Sequence, residues 1–89
     1  MTQAKSGVKV EIYGAEYRIK GEANAEYIRR VATYVDAKMH QMSQASATGS
    51  VSKLAILTAI NIADELFRER EDREKALSSL SERLKLIEE

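Results

Sequence analysis

The chain has 89 residues, enough for one domain, and a domain of this size buries only about 60–65% of the surface its unfolded chain exposes, so association with further copies is a natural source of stability. Lys and Arg number 14, and so do Asp and Glu; the formal charge is zero, and no global field draws the chain onto nucleic acid or anionic lipid. With no cysteine, disulfides, thiolate nucleophiles and Cys-based metal sites are excluded, which suits a reducing cytoplasm.

No apolar run approaches the roughly 20 residues of a bilayer span, and Met1 to Gly7 lacks the apolar core of a signal peptide, so the expectation is a soluble, unexported protein. Residues 1–7, MTQAKSG, are small and polar without period and read as a flexible N-terminus. From Val8, VKVEIY alternates, with Val8, Val10 and Ile12 on one face and Lys9, Glu11 and Tyr13 on the other. In YRIK, Tyr17 and Ile19 share a face opposite Arg18 and Lys20. Gly14-Ala15-Glu16 supplies a short connection, so an antiparallel hairpin is expected over 8–20.

Two strands alone are marginal and need a cover. Ile28, Val31, Val35, Met39 and Met42 recur at helical spacing and offer one, with Asn24 as N-cap, which predicts a helix over 24–42. SQASATGS, residues 43–50, reads as a loop, and Ser50 or Ser52 can cap a second helix. The head therefore spans 8–50.

Residues 51–89 contain no Gly or Pro and are rich in helix formers, which predicts one helix of about 58 Å at 1.5 Å per residue. Its first part is apolar nearly all round: Leu54, Ile56, Leu57, Ile60, Ile62, Leu66 and Phe67 cover more than one stripe. The head can cover one side, and the same surface of a second chain is the simplest cover for the other. REREDREK, 68–75, is wholly charged and allows the pairs Arg68–Asp72, Glu69–Arg73, Arg70–Glu74 and Glu71–Lys75. Beyond it Leu77, Leu80, Leu84 and Ile87 form a seam that, extended backwards, meets Ala63, Leu66, Arg70 and Arg73. An uncovered leucine seam is an oligomer contact. Leu54, Leu57, Leu66, Leu77, Leu80, Leu84 and Ile87 are thus the expected self-association residues. The fold class is α+β, with a hairpin-plus-helix head and a long coiled-coil helix.

Residues able to carry chemistry are sparse. His40 is the sole histidine and reads as a surface residue rather than a metal ligand or base. Gly7, Gly14, Gly21 and Gly49 are isolated, so no phosphate loop exists, and the serines have no partner histidine. No catalytic, cofactor or metal site is expected, and the protein reads as a non-enzyme. Tyr13, Tyr17, Tyr27 and Tyr34, with Arg18, Lys20, Arg29 and Arg30 around them, allow a stacking platform for single-stranded nucleic acid, a reading the neutral charge disfavours.

VEIYG at 10–14, VDAKM at 35–39 and SKLAILTAINIADEL at 52–66 together make the chain resemble the ZapA family of bacterial cell-division proteins, over roughly residues 8–72. The resemblance implies a similar head and coiled-coil helix, a homodimer or homotetramer, binding to FtsZ, and promotion of lateral association between FtsZ filaments at the mid-cell division site. It implies that charged head residues meet FtsZ, and Arg18 and Lys53 are the matching basic positions. Where some relatives are basic after the first strand and in the interhelical loop, this chain has Ala15 and SQASATGS. A coiled-coil adaptor for another partner is the alternative; neither nucleic acid nor membrane is expected as a partner.

Overall fold

The computed structural model describes residues 4–46 and 49–88, with side chains over 7–46 and 49–83. In chain order the elements are β1 (Ala4–Ile12), β2 (Ala15–Gly21), α1 (Ala25–Ala45) and α2 (Val51–Glu88). The chain divides into two compact units, Met1–Thr58 and Ala59–Glu89.

In the first unit the two strands pair antiparallel, with Val8 opposite Ile19, Lys9 opposite Arg18, Val10 opposite Tyr17 and Glu11 opposite Glu16. Residues 4–7, expected in a flexible N-terminus, belong to β1; residues 1–3 lie outside the described residues. Between Ala4 and Val8 the strand advances while β2 moves only from Gly21 to Ile19, so β1 bulges there, and Gly7 takes φ +92°.

The connection is two residues, Tyr13 at φ +51° and Gly14 at φ +81°, instead of the expected Gly14-Ala15-Glu16. Positive φ at both positions is the tight hairpin geometry that matches strand twist, and Gly14 accepts it freely. An aromatic residue does not. A tertiary contact compensates: the Tyr13 N–H donates to Asp36 Oδ1 at 2.8 Å, and the His40 ring centroid lies 4.9 Å from that of Tyr13.

Helix α1 starts where Asn24 Oδ1 accepts the Tyr27 N–H at 2.8 Å. It runs three residues beyond the expected end at Met42, since no Gly or Pro interrupts the chain before Gly49, and closes with the Ser46 N–H donating to Met42 O at 3.0 Å. Its inner face packs on β1: Val8, Val10, Ile28 and Ala32 form the core, with Ile12, Ala23 and Ala25 against them. The expected stripe holds at Ile28 and Met39, which are buried, and at Val35 and Met42, which are half-buried. Val31 is a correction: it is 46% exposed, and Ala32 occupies the contact with β1, where a small side chain lets helix and strand approach closely.

Ser50 caps α2, its Oγ accepting the Lys53 N–H at 3.3 Å. Leu54 and Thr58 are buried, and the Thr58 hydroxyl, donating to Leu54 O at 2.8 Å, is satisfied within its own helix. In the second unit the described side chains stand in solvent or half-buried. Arg73 pairs with Glu69 at 3.0 Å, as the spacing predicts; Arg68 pairs with Asp64 at 3.0 Å, one turn before the Asp72 expected for it. Among the described residues no helix is long and apolar enough to cross a membrane.

Candidate self-association and partner-binding surfaces

The head leaves half of its sheet bare. On the face that carries Val8 and Val10 into the core, cross-strand neighbours Ile19 and Tyr17 are 37% and 51% exposed, because α1 lies over β1 and β2 has no buried residue. Arg29 and Thr33 of α1 line a shallow depression with Lys9, Val10 and Glu11, so that flank of the helix lies beside β1. Tyr27, Val31 and Tyr34, a helical stripe on the other flank, are also exposed. Arg30 sits 5.8 Å over the Tyr27 ring and Lys38 5.5 Å over the Tyr34 ring, so each aromatic face is half-occupied by a cation.

The seven residues expected in self-association fall into three groups. Leu54 is 3% exposed and belongs to the interior of its own chain, while Leu57 is half-buried. Leu66, Leu77 and Leu80 are exposed, Leu77 at 62%, with no cover among the described residues. Leu84 and Ile87 lie in α2, with side chains outside the described residues. The structure adds Ile60 and Phe67, each about three-fifths exposed and placed with Ala63 at spacings of three and four on one helix face. The all-round apolar pattern of 51–67 contained this stripe without separating it from the residues the head buries.

Arg18 projects from the outer face of β2 and Lys53 from the first turn of α2, both exposed and on separate elements. Arg70 and Arg73 are exposed, Arg73 turned to Glu69 of its own helix. His40 Nδ1 lies 2.9 Å from Asp36 O, a packing role beside the hairpin turn. Among the described residues no group of three metal-ligating side chains gathers.

A family model described as "Cell division protein ZapA" matches residues 8–89. A "Cell division protein ZapA" from Geobacillus sp. (strain WCH70) is 42% identical over 78 residues, 88% of this chain and 90% of that one. The Geobacillus kaustophilus protein of the same description is 46% identical over 70 residues, covering 79% and 77%, and that of Bacillus mycoides 35% over 79 residues, covering 89% of each. Among solved structures, a ZapA mutant dimer from Geobacillus stearothermophilus is 40% identical, covers 90% of this chain and 93% of its own, and superposes with a TM-score of 0.63.

Proposed function

The chain belongs to the ZapA family of cell-division proteins, and from that premise we propose that it binds FtsZ and promotes lateral association of FtsZ filaments, as a homo-oligomer and without catalysis, in the cytoplasm at the mid-cell division site. The observation that carries the reading is the set of uncovered apolar residues on two faces of α2, Ile60 and Phe67 on one and Leu66, Leu77 and Leu80 on the other. A lone chain gains nothing from exposing them. Copies joined along that helix bury them, with an energy of about 25 cal/mol per Å² of apolar area removed from water.

Likeness to a ZapA dimer supports the same arrangement. Assembly multiplies heads, and an assembly with two or more heads can hold two filaments, the second contact being governed by effective concentration instead of free diffusion. Self-association is carried by α2, with Leu66, Leu77, Leu80, Leu84 and Ile87 in the contact; partner binding is carried by Arg18 of the head and Lys53 of the first turn of α2.

The test has two parts. Light scattering across a dilution series gives the mass, expected at two or four chains; a stable monomer of about 10 kDa refutes the mechanism. Co-pelleting with FtsZ filaments is expected for the unsubstituted chain and weakened for Arg18→Glu at unchanged oligomer mass. An oligomer that does not pellet with FtsZ is an adaptor for some other partner.

A further inference from the structure

Two arginines stand where the apolar seam of α2 should continue. In steps of three and four, Leu66, Arg70, Arg73, Leu77 and Leu80 follow one helix face, and α2 runs through them unbroken. The leucines on either side of the arginines are exposed, so a helix that buries this row against its own copy holds two cations in the middle of the contact. Arg73 reaches back along its own helix to Glu69 at 3.0 Å, a bond that keeps Glu69 at the flank of the seam. Arg70 and Glu74, spaced for the same bond, make no ion pair among the described residues.

In a parallel, in-register pair each seam residue enters a hole made by four residues of the facing helix. For Arg70 that hole includes Glu69 of the second copy, and for Arg73 it includes Glu74. Every arginine then meets a carboxylate across the interface, and two arginines and two glutamates from each copy close a neutral layer. A slip of one heptad puts Ala76 and Ser81 of one copy, and Ile62 and Phe67 of the other, where those glutamates stood. The arginines are left against uncharged side chains, which is costly for a desolvated charge.

We propose that Arg70 and Arg73, with Glu69 and Glu74 of a second copy, form a charged layer that fixes the register in which two α2 helices join; the proposal rests on self-association through α2 and adds what selects one alignment. An all-leucine seam holds more tightly and slides more easily. The layer weakens the contact and disfavours every alignment but one.

Charge exchange in the full-length chain tests the layer. Glu69→Lys with Glu74→Lys sets cations against cations, and Arg70→Glu with Arg73→Glu sets anions against anions. Each double variant alone should raise the dissociation constant of self-association about tenfold or more by light scattering, and an equimolar mixture of the two should recover it to within about threefold. Wild-type mass in both variants alone, or a mixture no better than its parts, overturns the proposal.

The chain has no cysteine, so Ala63→Cys on the same seam is a single reporter of register. Parallel in-register copies bring the two thiols together, and an added oxidant cross-links them; a one-heptad slip separates them by about 10 Å along the axis. Adding Arg70→Leu and Arg73→Leu should keep or raise the assembled mass and lower the cross-linked fraction about twofold or more. Absence of the cross-link before the leucine substitutions, or its persistence undiminished after them, overturns the proposal. An unsubstituted chain that stays monomeric refutes self-association itself, whereas an oligomer indifferent to these charges refutes the layer alone.

Discussion

Removing the Asp36 carboxylate is the sharpest probe of how the head is held together. Asp36 Oδ1 accepts the Tyr13 N–H at 2.8 Å across 23 residues of sequence, and so ties the hairpin turn to α1. A hydrogen bond to a charged group contributes about 1.5–3 kcal/mol, and a left-handed non-glycine residue costs on the order of 1–3 kcal/mol that this bond helps to offset. The Asp36 side chain is 35% exposed, so water competes for the carboxylate and the lower end applies. Asp36→Ala should therefore destabilise by about 1–2 kcal/mol, a roughly 1 M fall in urea midpoint for a slope near 1–2 kcal/mol/M. Asp36→Asn keeps an acceptor and should lose about half as much. The assay is urea unfolding by circular dichroism at one fixed protein concentration, since association couples to stability. An unchanged midpoint for Asp36→Ala, or an equal loss for Asn and Ala, refutes the claim that acceptor geometry holds the turn.

Single contacts elsewhere make further expectations. Leu80→Glu should cut the solution mass while the head remains folded, because a charge at a buried seam loses its water; unchanged light-scattering mass places the contact elsewhere. Asn24→Ala removes the acceptor of the Tyr27 N–H and should cost about 1 kcal/mol by chemical denaturation, whereas a stabilised variant shows that the cap is idle. Thr58→Val should be tolerated within about 1 kcal/mol despite complete burial, since the hydroxyl bonds only to a carbonyl of its own helix; a loss above about 3 kcal/mol means the hydroxyl has another task.

The local elements were legible because their signals are periodic. Alternation at Val8, Val10 and Ile12 gave the strand and its inner face, and the long stretch without Gly or Pro gave α2. The turn was not, because Tyr13 is held in an unfavourable conformation by Asp36, a residue no local rule connects to it. Choosing Val31 over Ala32 for the core followed size, but close approach of α1 to β1 favours the smaller residue. Leu54 and Leu80 look alike in sequence, and only three dimensions show that the first is buried in its own chain and the second exposed. Arg18 and Lys53 came from resemblance, and the arrangement around Gly7 depends on a bulge that small polar residues did not announce.

The charges on β2 have a second consequence, for what the hairpin avoids. A two-stranded sheet presents two open edges, each a template for a further strand from an identical hairpin. Glu16, Arg18 and Lys20 interrupt β2, and Lys9 and Glu11 interrupt β1, so an edge-to-edge encounter between copies meets charge every second residue. Open-ended growth of the sheet from copy to copy is thereby disfavoured. Neutralising Arg18 and Lys20 together would remove solubility protection along with the partner contact at Arg18, and recognition and self-avoidance would fail in the same variant.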